Sequence, residues 1–260
     1  MPIKIYQVDA FGTQLFSGNP AAVCPLDHWL DDELLQNIAM ENNLAETAFY
    51  VTRDDYFELR WFTPTVEVDL CGHATLAAAH VLFQHENYQQ AQVQFKTRSG
   101  MLSVEQQGAH YTLNFPADIL TPVDPPTALL QALQLTPLAT FRGRDDYLAI
   151  VDQQKTIEQL RVDLQQVAQL NSRGLIVSAR GEQVDFVSRC FFPQSGVDED
   201  PVTGSAHTTL TPYWADILQK KQLQAQQLSS RKGVLECELM DDRVLLKGQA
   251  HTYLIGQLFL

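Results

Sequence analysis

The stretch Arg60-Trp-Phe-Thr-Pro-Thr-Val-Glu-Val-Asp69 returns later in the chain as Arg189-Cys-Phe-Phe-Pro-Gln-Ser-Gly-Val-Asp198. At a constant offset of 129, Arg60/Arg189, Phe62/Phe191, Pro64/Pro193, Val68/Val197 and Asp69/Asp198 are identical, in order and without a gap. The next residues of each copy also match in kind, at an offset of 132. Cys71-Gly-His-Ala-Thr75 leads into one helical pattern, and Thr203-Gly-Ser-Ala-His207 leads into another. A period near 130 in a chain of 260 residues implies one duplicated domain, not a solenoid of short repeats.

The flanking segments read alike in the two copies. Ile3, Tyr6, Val8 and Phe11 mark an opening strand. Residues 31–43 read as a helix, with Asp31 and Asp32 at its start and Leu34, Leu35, Ile38 and Ala39 as its apolar stripe. Residues 47–51 and 57–62 read as strands. From Ala74 to Phe83 the pattern is apolar nearly all round, broken by Thr75 and His80, so this helix has to be enclosed. Its counterpart runs from Ala206 to Leu218, where Pro212 predicts a bend or an irregular first turn. Short strand candidates fill 93–96, 101–105, 110–115, 184–191, 234–239 and 243–247. The glutamine-rich segment 219–227 reads as a solvated helix end and loop. Sheets wrapped around one buried helix per half fit the whole pattern. Prolines between Phe115 and Pro126 mark the linker, and the last strand, from Thr252 to Leu260, could return to the first half. The domains expected are therefore 1–116 with 250–260, and 117–249.

Eighteen basic residues stand against 31 acidic ones, a formal charge of −13. A polyanion partner needs clustered Lys and Arg, and here the tight pairs are Lys220-Lys221 and Arg231-Lys232. Nucleic acid and anionic membrane are poor partners for such a chain. An anionic small molecule is compatible with it, because helix N-termini bind carboxylates without net positive charge. The 27 glutamines give an amide-rich surface. Four widely spaced cysteines without a Cys-x-x-Cys pair, no signal-peptide layout and no long apolar run predict a cytoplasmic protein with reduced thiols.

Chemistry is expected at the two strand–glycine–helix junctions. Gly72 and Gly204 allow a ligand close to the backbone, and the unpaired N–H groups of each helix start point beyond them. Two such ends facing across a cleft between the halves would suit a small carboxylate. The plainer alternative is a pair of tight turns with His73 and Ser205 as helix caps. Glu46, hemmed in by Leu44, Ala45, Ala48 and Phe49, would be desolvated into an acid/base group; the alternative is an exposed loop glutamate. Asp200 would orient a substrate or simply start the Asp-Pro turn. Cys71, His73 and His207 lack the spacing of zinc ligands, so no metal is expected. Ser205 and His207 do not face each other on a helix, and no glycine-rich phosphate loop supports a nucleotide cofactor.

Asp9-Ala-Phe-Gly12 with Ser17-Gly-Asn-Pro-Ala-Ala22, Asn43-Leu-Ala-Glu-Thr-Ala-Phe49, Phe62-Thr-Pro-Thr-Val-Glu-Val68, Cys71-Gly-His-Ala-Thr75 and Glu199-Asp-Pro-Val-Thr-Gly-Ser-Ala206 together resemble the PhzF family, the phenazine-biosynthesis-like isomerases. These motifs span about the first 210 residues. The resemblance implies the fold shared with diaminopimelate epimerase: α+β, two pseudo-symmetric domains, each a mostly antiparallel sheet around a central helix. It also implies a cofactor-independent isomerase and a homodimer. The glutamate matching Glu46 would shuttle a proton on the substrate. Residues matching His73, Asp200 and Ser205 would hold the substrate, with Gly72 and Gly204 shaping the anion-binding helix ends. The sequence departs from two-thiol epimerases, because Cys71 fills one thiol position and Thr203 the other. A one-base racemase or epimerase, and a binding protein without turnover, are the alternative readings.

Overall fold

The structure is a computed structural model and describes residues 2–260. The chain divides into two compact units. The first runs to Asn114 and takes in Lys247–Leu260, and the second is Phe115–Leu246. In chain order the first carries β1 (Ile3–Ala10), β2 (Asn19–Leu26), α1 (Asp32–Asn42), β3 (Glu46–Thr52), β4 (Phe57–Phe62), β5 (Glu67–Val68), α2 (Gly72–His85), β6 (Gln92–Thr97), β7 (Gly100–Gln107) and β8 (His110–Pro116). The second carries β9 (Thr121–Pro122), α3 (Thr127–Leu133), β10 (Ala139–Arg142), β11 (Asp146–Ile150), α4 (Gln154–Gln159), α5 (Leu164–Val167), β12 (Gly174–Arg180) and β13 (Phe186–Phe192). It continues with β14 (Val197–Asp200), α6 (Gly204–Leu218), β15 (Gln222–Gln227), β16 (Gly233–Met240) and β17 (Arg243–Gly248), after which β18 (Ala250–Leu258) closes the chain.

Pairings repeat strand for strand. β1–β2 and β10–β11 are antiparallel, whereas β2–β3 and β11–β12 are parallel. β3–β4 and β12–β13 are antiparallel, and β4–β6 and β13–β15 are parallel. The expected α+β duplication is therefore what the chain folds into. The returning strand β18 pairs with β1. Residues from Gly72 to Leu82 are buried all round α2, as its nearly all-round apolar pattern requires. Asp31 caps α1, its carboxylate accepting from the Leu34 N–H at 2.9 Å.

Two expectations are corrected. The glutamine-rich segment 219–227 is mostly strand. Leu223, Ala225 and Gln227 alternate inward on β15 while its other glutamines face outward, so the period of two is masked by polar residues on both faces. The offset also changes earlier than the identities suggest. Trp61 pairs with Val68, whereas the equivalent Cys190 pairs with Asp200. The extra turn at Pro193–Gly196 adds residues before β14. Val197 and Asp198 thus match Val68 and Asp69 in letter but not in place.

Pro212 lies inside α6, yet the helix runs on to Leu218. Proline removes the N–H that would bond the Thr208 carbonyl. That carbonyl instead accepts the Asp118 N–H at 3.2 Å. The Asp118 carboxylate in turn accepts from the N–H groups of Ile119 and Arg144 and from the Thr209 hydroxyl, at 2.8, 3.1 and 2.9 Å. The proline-rich linker is thus clamped to α6. Among the described residues no helix is long and apolar enough to cross a membrane.

Two consequences are measurable. Asp118→Ala strands several donors and should cost about 1–3 kcal/mol in urea unfolding, whereas a loss under ~0.5 kcal/mol would show that water replaces the clamp. The second concerns two buried histidines, His80 in α2 and His207 in α6. Burial, joined for His80 by His85 and His251, lowers each to about 4. Between that value and the ~6.5 of an unfolded histidine only the unfolded chain binds these protons. Stability should therefore be complete above about pH 6.5 and fall toward pH 4, by up to about 3 kcal/mol per histidine. Urea unfolding across the acid range should give His207→Gln a shallower acid limb than wild type; an identical limb would reject the assignment.

Candidate active site

Glu46 is the first residue of β3, where it pairs with Ala21 of β2. Its side chain keeps 15% of its surface exposed, so it is not the free loop glutamate of the plainer reading. His73 is the second residue of α2, buried, with Nε2 3.1 Å from Glu46 Oε2. On the other side of the ring, Nδ1 lies 3.1 Å from the Asn19 amide and 3.5 Å from Cys71 Sγ. Asn19 opens β2. It reaches this position because the chain turns tightly at Gly18, where a Cβ would stand 2.3 Å from the Ala10 carbonyl oxygen.

The electrostatics arise from this packing. Burial disfavours the imidazolium, yet the Cys71 sulfur and the Glu46 carboxylate outweigh it and hold His73 well above the ordinary histidine value. Cys71 keeps its proton: burial first, then the Glu46 charge, push its thiol up to about 11. At neutral pH the thiol of this cluster therefore carries its proton. His73 Nε2 faces the Glu46 carboxylate, and Nδ1 faces the Asn19 amide nitrogen and the Cys71 sulfur.

Glu46, Cys71 and His73 offer donor atoms within 4.8 Å of one another. The carboxylate and the thiol face opposite nitrogens of one ring, however, and a single ion takes only one of those nitrogens. The geometry suits proton sharing. Of the three residues weighed for zinc, His207 lies on α6 of the second unit, its Nδ1 donating to the Thr203 carbonyl at 2.8 Å.

In the second unit Asp200 ends β14, buried, and accepts the Thr203 hydroxyl at 2.5 Å. Gln227, fully buried at the end of β15, accepts the Thr203 N–H at 2.9 Å and donates to the Asp200 carbonyl and the Thr203 hydroxyl at 2.7 and 3.1 Å. Gly204 and Ser205 open α6. Neither His73 nor Ser205 caps its helix: Cys71 and Thr203 hold those positions, without side-chain capping bonds. Ser205 Oγ accepts from Arg173 Nη2 at 3.0 Å. Arg173 is a two-pronged partner of buried Asp146 and lies over the Phe192 ring at 4.8 Å. The structure thus joins Glu46, Gly72 and His73 in the first unit, and Asp200 through Thr203 with Gly204 and Ser205 in the second. Sequence reasoning assigns nothing to Asn19, Arg173, Asp146 or Gln227. Of these, Asn19 alone lies inside a recognisable motif, Ser17-Gly-Asn-Pro-Ala-Ala22.

The duplication is broken where it matters most. Phe62 pairs with Thr47, and the equivalent Phe191 pairs with Leu175. The residue before each partner is Glu46 in one unit and Gly174 in the other. A Cβ on Gly174 would stand 2.3 Å from the Phe191 carbonyl oxygen, so no carboxylate can occupy that place. Ser205 stands where His73 stands, and its neighbour is a permanent cation instead of a carboxylate.

Comparison with known proteins agrees with this architecture. The family model described as phenazine biosynthesis-like protein (PhzC-PhzF) matches residues 8–256. An uncharacterised isomerase of Pseudomonas aeruginosa is 53% identical, with 100% of each chain covered. A PhzF-family crystal structure from Enterococcus faecalis superposes with a TM-score of 0.96 at 41% identity, again over 100% of both chains. A probable proline racemase from Agrobacterium radiobacter reaches a TM-score of 0.70 over 99% of this chain and 93% of its own, at 9% identity, and so shares the fold alone. Relatives named isomerases and an epimerase-like fold support an isomerase-type enzyme. The match over nearly the whole length and these identities show that the chain belongs to the phenazine biosynthesis-like (PhzC-PhzF) family.

Proposed function

We propose that the chain is a cofactor-independent isomerase that moves one proton on a small carboxylate-bearing metabolite, with Glu46 as its only acid/base carrier. The observation that carries this reading is the half-buried Glu46–His73 pair at 3.1 Å, set against Gly174 at the equivalent position of the other unit. A two-base enzyme needs a second proton carrier. The Thr203 hydroxyl already donates to Asp200 and accepts from Gln227, and the Cys71 thiol keeps its proton at neutral pH.

In the proposed step the Glu46 carboxylate takes a proton from a substrate carbon, and the C–H electron pair spreads into the substrate's conjugated system. Glu46 then returns the proton to another carbon, so atoms and electrons balance without a co-reactant. His73 orients the carboxylate and, when protonated beside it, offsets charge that develops on the substrate. Asp200, Gly72, Gly204 and Ser205 are the proposed substrate-holding residues. Because Arg173 can only donate, Ser205 Oγ accepts from it and keeps its own hydrogen for a substrate acceptor such as a carboxylate oxygen.

The test is deuterium uptake from heavy water into a panel of small carboxylates, read by mass spectrometry. Wild type should label at least one member at carbon. Glu46→Gln, shown folded by circular dichroism, should label it slower by roughly 10²–10⁴-fold, the usual contribution of a positioned acid/base group. Labelling by Glu46→Gln at the wild-type rate would remove Glu46 from the proposed role.

A further inference from the structure

Arg173 of the second unit is held from three sides. It directly precedes Gly174, the first residue of β12, and its N–H donates to the Asp145 carbonyl at 2.7 Å. Gly174 pairs with Asp146 across the parallel strands β11 and β12, which sets the arginine and the aspartate side by side. A Cβ on Gly174 would stand 2.3 Å from Phe192 Cδ1. The missing side chain therefore makes room for the Phe192 ring, which lies under the guanidinium at 4.8 Å. The glycine that bars a carboxylate from this unit also admits the ring that carries Arg173.

A guanidinium is planar and rigid, so two of its bonds fix the direction of the rest. Nε donates to Asp146 Oδ1 at 3.0 Å and Nη2 donates to Asp146 Oδ2, which uses up one edge of the fork. The second Nη2 hydrogen lies on the Nη1–Nη2 edge and goes to Ser205 Oγ at 3.0 Å. Planarity then makes one Nη1 hydrogen run parallel to that bond, so it emerges beside Ser205 Oγ. Among the described residues neither Nη1 nor the Ser205 hydroxyl hydrogen has an acceptor. The Arg173 side chain keeps 34% of its surface exposed, so this edge is open to a ligand. Two donors thus stand together, both fixed by Asp146 and Phe192.

We propose that Arg173 is a specificity-determining residue: its Nη1 and the Ser205 hydroxyl together donate to one carboxylate group of the substrate, a role that rests on the isomerase reading. A carboxylate brings two charged acceptor oxygens and no donor, and charge-assisted bonds are about twice as strong as neutral ones. A carboxamide of the same shape brings one uncharged acceptor and an NH2 group that repels either donor. Asp146 already answers the guanidinium charge, so selection comes from matching donors to acceptors more than from net charge. A substrate whose acid is masked as an amide is therefore rejected.

Isothermal titration of the full chain with benzoate, and with benzamide as its amide of the same shape, tests the proposal. Benzoate should bind saturably, and benzamide weaker by roughly tenfold or more. Arg173→Lys keeps a cation beside Asp146 but has no Nη1, and it should weaken benzoate by about tenfold while leaving benzamide unchanged. The double variant Asp146→Asn/Arg173→Gln removes both charges together, leaves no buried carboxylate alone and should show the same loss. Circular dichroism checks the fold of each, and a double variant that fails to fold leaves Arg173→Lys to decide. No saturable benzoate binding, equal binding of benzamide, or wild-type benzoate affinity in Arg173→Lys would each overturn the proposal. Its failure is distinct from failure of the isomerase reading: heavy-water labelling that needs Glu46 would stand without Arg173, and benzoate binding that needs Arg173 would stand without labelling.

Discussion

A carboxylate drawn inside a folded chain needs a partner for its charge, and His73, with Nε2 3.1 Å from Glu46 Oε2, stands in that place. A buried charge left alone is costly enough to unfold a domain or to neutralise itself. The demand passes outward from the pair. His73 must sit in the first turn of α2, so α2 must start immediately after Cys71. The ring must also be held from behind, a task that falls to Asn19 at the start of β2. Because β2 and β3 are parallel neighbours, Asn19 and Glu46 both lie at the same end of the sheet, where α2 begins. The unbroken burial of α2 keeps this geometry fixed.

Duplication supplies the same frame twice, and its two copies have diverged in charge. Arg60 grips Glu67 with two nitrogens and lies over Phe62, and Arg189 does the same with Glu199 and Phe191, with the guanidinium 5.1 Å from each ring. These frame interactions are matched nearly atom for atom. At the helix junctions the copies part. The first unit sets a carboxylate against a histidine, and the second has an arginine neutralised by Asp146 that turns a serine into a dedicated donor. One copy thus presents a carboxylate beside a histidine, and the other a serine hydroxyl whose lone pair an arginine occupies.

That division explains what the sequence could and could not disclose. Arg60/Arg189 and Phe62/Phe191 are legible because strand residues in a repeated frame keep their identity and spacing. The enclosed helix is legible from its apolar circumference, and Glu46 and His73 from motifs that surround them. Gln227 is not legible: an amide that satisfies the Thr203 N–H and the Asp200 carbonyl looks like any other glutamine in a run of them. Arg173 and Asp146 are 27 residues apart and carry no local pattern. Gly174 is the plainest case, since its meaning is a missing side chain and only the register of β12 against β13 shows what it replaces.

Thr203 completes the logic. A thiol at that position would bear a more acidic proton than a hydroxyl does. Threonine brings a hydroxyl of similar size whose proton is committed to Asp200 and whose lone pair is occupied by Gln227. The nearby Cys190 does not supply an ionised thiol either. It is fully buried, and that burial pushes its thiol well above the ordinary cysteine value, despite its bond to Thr203. Both sulfurs near the helix junctions are therefore proton-bearing at neutral pH. The buried set Asp200–Thr203–Gln227 brackets the start of α6, whereas Glu46, at the start of β3, keeps partial exposure beside His73.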